Sequence, residues 1–461
     1  MMGALICLQI GTIRYVSLQQ GAIYHAGTRS QTKEDSRMAG FKAMVSRNKL
    51  MDTLINLRGN ARACIYTEPL WGVPVNLYLP LVAKYMEALG LNALQIGIVV
   101  TVNLLSQMVS SLVSGLITDK FGRRWTTTIV DFFCWAVPFL IWMNAQGFAW
   151  FILAALFNGT WRITENSWGL LLAEDAPPNL LVSIYSLSNI AGLIAGFAAP
   201  LTSLLVSRFS LVQTMRGLYL FAFICMVVKI VILHLMTKET AVGAVRKEEL
   251  RGRSILHAMR GSLQVLKNMA GKKPLMLVLG IMSCVMVIRG ATENFWPLLL
   301  TGSLGIGEEI LPLLSGLRSL SMLLCFFVLA PRLKPQRFNK PLRLGLSIMA
   351  ALQLMFFLLP AGAGWAVFPG VVAEALALSM LIPLFSSLQM ILLDKVEKAR
   401  MFGFSLAFCL LVTSPFGTIN GLLSKWSLGL PMLLSALLAM LALFFLSRLN
   451  KNLEKVRLDE A

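Results

Sequence analysis

The chain has 461 residues, 57% of them hydrophobic and only 14% charged, with a net charge of +19 from 41 Lys and Arg against 22 Asp and Glu. Soluble proteins average about 45–50% apolar and about 25% charged residues, so a dispersed soluble chain, a disordered chain, a collagen and a coiled coil are all excluded. Nucleic-acid binding is excluded as well, because it needs Lys and Arg clustered on a solvated face, and here they sit in short bursts between long apolar runs.

Residues 1–61 are polar, basic and without helical amphipathicity, and read as a disordered tail. Met38, Met44 and Met51 could each serve as an alternative start, so the first ~40 residues are expected to be an unstructured tail or a start-site artefact. Met1 to Ile13 lacks the basic region and small-residue cleavage site of a signal peptide. Twelve apolar runs long enough to cross a bilayer follow, at 66–87, 95–117, 125–143, 149–172, 180–206, 213–236, 274–300, 309–331, 342–360, 365–393, 402–423 and 428–447. None alternates with period two, so helices are favoured over a barrel. The longest polar gap, Thr237 to Lys273, divides the twelve into six and six. The expected organisation is an all-α polytopic membrane protein with a first bundle over 62–236, a central loop over 237–273, a second bundle over 274–448 and a tail over 449–461.

Charge placement orients the spans. With the N-terminus inside, and residues near a span end counted with the adjoining loop, 33 of the 41 Lys and Arg fall on the inside and four, Lys84, Arg208, Arg216 and Lys425, on the outside. Cytoplasmic loops accumulate Lys and Arg, so both termini are expected in the cytoplasm, and +19 records topology. Seven widely spaced Cys, five of them inside apolar runs and none in a CxxC, read as reduced thiols packed as small hydrophobes. His25, His234 and His257 are not paired for a metal, and no enzyme motif or phosphate loop is present. No catalytic residue, cofactor or metal is therefore expected, and any pumping must draw on an ion gradient.

Between spans 2 and 3 lies Gly115-Leu116-Ile117-Thr118-Asp119-Lys120-Phe121-Gly122-Arg123-Arg124. This stretch resembles the signature loop of the major facilitator superfamily, roughly G-x-L-a-D-r-x-G-R-[RK]. Ile117 and Thr118 depart from the usual residues, and the resemblance covers about residues 62 to 448. It implies two six-helix bundles that rock about a central cavity, with this loop latching them in the outward-facing state. Carried over, Asp119 would sit near the start of span 11, around Phe402, and Arg123 would pair with Glu174 or Asp175 at the end of span 4. The matching loop of the second half, Ala330 to Arg343, keeps Arg332, Lys334, Arg337 and Lys340 but not the Gly-Asp pattern. The halves also share an acidic end to spans 4 and 10 (Glu174-Asp175, Asp394-Lys395), each followed by a Gly-rich span with Gly192 and Gly196 or Gly417 and Gly421.

A charge at mid-bilayer costs about 2.5–3.5 kcal/mol on insertion scales, so such residues are functional candidates. Span 4 carries Asn158, Arg162, Glu165 and Asn166, with Arg162 and Glu165 at i, i+3 spacing. Span 7 carries Arg289, Glu293 and Asn294, span 8 Arg318, and span 10 Glu374. Span 1 offers Asn76 and Tyr78 between Pro74 and Pro80, which can break the helix. Spans 1, 4, 7 and 10 line the cavity in the superfamily, and all of these except Arg318 fall on them. The alternative is that the ion pairs are structural locks between helices. Asp131 is expected to support the signature loop, and Lys229 and His234 to snorkel to the inner surface. The resulting expectation is a monomeric secondary transporter of a small solute in the plasma membrane, coupled to an ion, expected to be the proton, with Glu165 and Glu374 as the residues for protonation or for recognition of a substrate charge. Export and import both stay open: Gly192, Gly196 and Pro200 match the Gly-Pro motif of the family's drug exporters only in part, because the Pro does not directly follow a Gly. The second reading is a receptor or scaffold with a transporter-like fold that binds a ligand without moving it.

Overall fold

The computed structural model describes residues 49–177, 180–250, 268–329, 338–360, 362–393 and 398–459. Residues 1–48 of the expected tail, Arg332, Lys334, Arg337, Asp394 and Lys395 lie outside the described residues. The chain forms two compact units, 1–56 and 57–461. The described part of the first is helix α1, Lys49–Asn56. Helix thus occurs inside the stretch expected to be an unstructured tail, and Leu50, Met51, Leu54 and Ile55 supply its apolar positions.

The second unit is all helix among its described residues. It runs α2 (Gly59–Thr67), α3 (Pro69–Tyr78), a 3-10 turn (Leu79–Leu81), α4 (Val82–Ala88), α5 (Ala93–Phe121), α6 (Arg123–Asp131), a π turn (Phe132–Ala136) and α7 (Val137–Met143). There follow α8 (Phe148–Asn158), α9 (Trp161–Ala173), α10 (Leu181–Gly196), α11 (Ala199–Val206), α12 (Leu211–Met236) and α13 (Ala241–Glu249). The second half holds α14 (Lys273–Asn294), α15 (Trp296–Gly302), α16 (Ile310–Leu329), α17 (Asn339–Leu358), α18 (Val367–Leu392), α19 (Lys398–Thr413), α20 (Pro415–Trp426) and α21 (Leu430–Asp459).

Local sequence explains many of these boundaries. Asn92 and Gln95 form a reciprocal capping box, each side chain accepting from the other's backbone N–H at 3.0 Å, and so start α5. Ser210 caps α12 by accepting from the Gln213 N–H. Pro69, Pro274, Pro297 and Pro415 open their helices at positions whose N–H has no intrahelical acceptor.

Each of the twelve apolar runs is occupied by helix, and among the described residues eight helical stretches are long and apolar enough to cross a bilayer. Ile190–Val206 and Ile310–Cys325 are shorter apolar helices. The first and fourth runs are interrupted, by the turn containing Pro80 and by Gly159-Thr160. Outward faces are apolar, with Val109, Ile224, Val231, Leu437 and Phe444 exposed, as lipid contact requires. The final helix runs on to Asp459, through most of the expected tail.

The two ends of the molecule differ. At the end remote from Arg123 and Arg124, here the far end, one hydrophobic core draws on both halves, from Leu77, Tyr85 and Tyr219 to Phe295, Leu304 and Met432. Towards the opposite, basic end, the described residues form two further cores, drawn from residues at or beyond Met269.

Close approaches between the halves sit on the far-end side. Gly97 faces the backbone of Gly417, and a Cβ on Gly421 would stand 2.6 Å from the Ala93 carbonyl. Gly196 packs on Ser319, and a Cβ on Gly316 would meet Pro200 at 2.6 Å. Small residues let helix backbones approach this closely. Thr101 Oγ1 donates to the Ser414 carbonyl at 2.8 Å, and Lys84 lies 3.6 Å from Glu308.

Candidate functional site

The signature loop is a tightly paired corner. Gly122 ends α5 with φ +88°, which a side chain would strain. Beyond it, Arg123 is buried and chelates Glu174, its Nε and Nη2 each donating at 3.1 Å to one carboxylate oxygen. Its Nη1 lies 2.8 Å from Asp119 Oδ1, close enough to pair but misaligned for a hydrogen bond. Asp119 is thus held by its own loop, whereas the resemblance placed it at the start of span 11. Arg124 donates through Nε and Nη2 to the His234 carbonyl at 3.1 and 2.7 Å. Asp175 accepts from the Ala241 N–H at 3.2 Å and from Asn60 at 3.4 Å.

Sequence reading missed Glu239. Its carboxylate accepts from the backbone N–H groups of Arg123 and Arg124 at 2.8 and 3.2 Å, so it caps α6 from the central loop. The first turn of a helix attracts a carboxylate because its N–H groups are unpaired and the dipole is positive there. Thr240, next in the chain, donates to Glu174 at 2.5 Å and accepts from the Gly243 N–H to start α13. The signal available was an acid three residues past the end of α12, on the same face as the loop.

Within the membrane-facing part, the structure sorts the candidate residues into three groups. The first group shares one cavity. Arg289 and Glu293 pair at 3.2 Å on α14 and are both half-exposed, while Arg318 of α16 lies 2.8 Å from the fully buried Glu374 of α18. Both pairs line a single cavity of about 70 Å³ together with Thr292 and Met322. A cavity of this volume gives water access to both pairs. A larger hollow of about 570 Å³ lies at the basic end beside Gly271–Leu275 and Leu392, and no candidate residue lines it. Arg318 also stacks 5.6 Å from the Trp296 ring. Its Nε and Glu374 Oε2 lack a well-formed hydrogen bond among the described residues, so this buried pair is charge-matched without being fully satisfied. Gln353, wholly buried, donates to Thr292 at 3.4 Å and was not anticipated.

The second group belongs to the first half. Arg162 donates to Glu165 at 2.7 Å and to Gln107 at 3.0 Å, and stacks 3.9 Å over Trp161. Glu165 stays half-exposed, with 48% of its side-chain surface open. Gln107 in turn donates to Asn103 at 2.7 Å, a relay from α5 that sequence reading did not single out.

The third group is structural. Tyr78 is buried in an aromatic cluster with Phe139, Trp142 and Tyr219, so its expected place in the cavity is corrected. Asn76 and Asn294 donate to carbonyls of their own helices, at Gly72 and Gly290. Asn158 donates to the Cys134 carbonyl and accepts from Asn103, tying α8 to the π turn and α5, and Asn166 reaches Thr118 at 3.4 Å. Pro74 lies inside an unbroken α3, and the break comes at the Pro80 turn.

Two further expectations, those for Lys229 and Asp131, are corrected, while His234 lies at the basic end beside Arg124. Lys229 is buried and pairs with Glu68 at 3.3 Å, because a carboxylate within the bundle holds the ammonium better than a stretched path to the surface. His234 Nδ1 bonds Thr128 at 2.8 Å and its ring packs on Trp125. Asp131 is buried away from the loop and accepts from Thr164 at 2.8 Å.

Apolar helices long enough to cross a bilayer, with charged groups paired within them, define a polytopic membrane protein. The family model of the Major Facilitator Superfamily matches residues 72–418, and the chain belongs to that superfamily. Among solved structures it is similar to the nucleoside transporter NupG, with TM-score 0.64 and 12% identity over 85% of this chain and 99% of that one. It is also similar to a D-xylose–proton symporter (TM-score 0.65, 14% identity, 84% and 96% covered). A third likeness is to the human organic anion transporter MFSD10 (TM-score 0.60, 14% identity, 84% and 98% covered). At these identities the likeness is one of fold. No curated protein matches the chain.

Proposed function

We propose that this protein is a secondary active transporter that moves a small solute across the plasma membrane by alternating access, driven by protons. Residues 62–236 and 274–448 act as the two rocking halves, joined by 237–273, in a monomer with both termini in the cytoplasm. The charge asymmetry of the loops supports that orientation. It makes the far end extracellular, and the core shared by both halves there corresponds to a state closed to the outside.

The observation that carries the reading is the placement of the buried Glu374 with Arg318, and of Arg289 with Glu293, around one cavity. A carboxylate buried beside a guanidinium can release its partner when it takes a proton, and the freed cation can then hold a solute's polar group. Glu374 suits that exchange because its pairing is close yet incompletely bonded. Glu165 is the matching carboxylate of the first half, already open to water. The signature loop and Glu174 hold the basic end of the first half as a unit that can swing.

The test is proton-driven uptake into proteoliposomes, with nucleosides, D-xylose and organic anions as the first solutes because the structural relatives are transporters of such compounds. Glu374→Gln and Glu165→Gln should each retain solute exchange at equal pH and lose accumulation under a proton gradient. Full gradient-driven accumulation in both variants would remove these residues from the coupling step. Ligand binding with no flux under any gradient would favour the receptor reading.

A further inference from the structure

Between α8 and α9 the chain passes through Gly159 and Thr160, and α5 packs directly on this break. A Cβ on Gly159 would collide with Ser106, whose hydroxyl donates to the Leu156 carbonyl at 2.8 Å. The contact sets Asn103 and Gln107, one turn apart on α5, against Asn158 at the end of α8 and Arg162 in the first turn of α9.

These four side chains form one hydrogen-bonded chain. Arg162 Nε donates to Gln107 Oε1 at 3.0 Å, and Gln107 Nε2 to Asn103 Oδ1 at 2.7 Å. Asn103 Nδ2 donates to Asn158 Oδ1 at 3.2 Å, and Asn158 Nδ2 to the Cys134 carbonyl at 3.0 Å. A guanidinium can only donate and a backbone carbonyl can only accept. With both ends fixed in this way, each amide between them has one permitted orientation, and Gln107 turns its oxygen to Arg162. The Arg162 Cζ also lies 3.9 Å from the centre of the Trp161 ring, which holds the guanidinium by its face.

Glu165 is held far less firmly. Among the described residues it bonds only to Arg162 Nη1, at 2.7 Å, and its side chain is 48% exposed against 14% for Arg162. Departure of Glu165 would leave the guanidinium in place on Gln107 and Trp161. Its Nη1 would then be open, beside an Nη2 that already has no acceptor among the described residues. A fixed guanidinium with both Nη groups open receives a carboxylate through two parallel hydrogen bonds. Little freedom is lost in doing so, because the group is already set.

We propose that Arg162 recognises an anionic group of the solute, a carboxylate or its like. Glu165 occupies the position until that group displaces it, and Gln107 and Asn103 are positioning residues that keep the guanidinium set for the exchange. That the anion belongs to a transported solute rests on the transporter reading; the anion site itself does not.

The test is calorimetric titration of the detergent-solubilised full chain with benzoate and with benzyl alcohol, its neutral counterpart. The wild type should prefer benzoate, and Arg162→Gln should lose that preference. Glu165→Gln removes the competing carboxylate and should tighten benzoate about tenfold. Gln107→Met keeps the side-chain length without the acceptor, and should weaken benzoate about tenfold while leaving benzyl alcohol unchanged. A merely structural role for Gln107 would shift both probes together. Asn103→Leu should lower the same ratio, so misfolding of one variant leaves the other decisive. The anion site is overturned by a wild type that binds benzoate no better than benzyl alcohol, or by a preference that survives in Arg162→Gln. Unchanged benzoate affinity in Glu165→Gln overturns the role of Glu165, and a wild-type ratio in Gln107→Met or Asn103→Leu overturns the positioning role. The titration needs no flux, so a chain that binds benzoate yet moves no solute fails the transporter reading alone.

Discussion

Arg123 is the residue on which the basic end of the first half turns. It is buried, it holds Glu174 with two parallel hydrogen bonds, and its backbone N–H is capped by Glu239. Removing one partner of a buried charged pair costs about 3–5 kcal/mol, because the other charge is left uncompensated. Asp119 remains near Arg123 and offsets part of that loss. Glu174→Ala is therefore expected to destabilise the protein by about 3 kcal/mol, read as a fall in the thermal midpoint of the detergent-solubilised chain. A midpoint within error of the wild type would show that Asp119 alone suffices. At this scale the sequence was informative about which residues are charged and where along the chain they fall. It was silent on what they face. Lys229 looks like a snorkelling lysine from its position near a helix end, yet Glu68, 161 positions earlier, draws it inward. Tyr78 looks like a cavity residue from its two flanking prolines, yet three aromatic side chains from other helices close over it.

At the scale of elements, α5 and α20 show how two helices come within backbone contact. Gly97, Gly417 and Gly421 remove the side chains that would keep them apart, and the Thr101 hydroxyl bonds both the Ser414 carbonyl and Thr418. A Leu at position 417 would force the helices apart, since even a Cβ there would stand 2.7 Å from the Gly97 carbonyl. Gly417→Leu is thus expected to open the far end. A cysteine placed at Phe295, now buried in the shared core, should then react with a membrane-impermeant thiol reagent at least tenfold faster than in the Gly417 background. Unchanged reactivity would show that this contact does not hold the far end closed. The glycines on spans 5 and 11 were visible in the sequence as a type of residue. Their partners were not, apart from the general expectation of close helix contact, and Gly192, grouped there with Gly196, faces open space. The interruptions of the first and fourth runs follow from Pro80 and Gly159, residues whose effect depends on whether neighbouring helices make up the lost bonds.

At the scale of the whole molecule, hydrophobicity carried most of the fold. A run of about 20 apolar residues has few alternatives to a helix in lipid, and every run read from the sequence is occupied by helix. Trp365 and Trp426, the two most exposed tryptophans at the far end, mark where an aromatic belt would meet the bilayer surface. What hydrophobicity did not carry is the difference between the two ends, because composition along one helix says nothing about which neighbour it packs on. The shared core at the far end and the separate cores towards the basic end appear only once the helices are assembled.

The central claim is that the halves must part at the far end for solute to cross. It is tested most directly by tethering them there. Lys84 and Glu308 face each other across the two halves at 3.6 Å. The double variant Lys84→Cys, Glu308→Cys, in a background without the native cysteines, can be bridged by a reducible thiol cross-linker in proteoliposomes. The account predicts flux before bridging, none while the bridge holds, and recovery on reduction. Flux that continues with the bridge closed would contradict it.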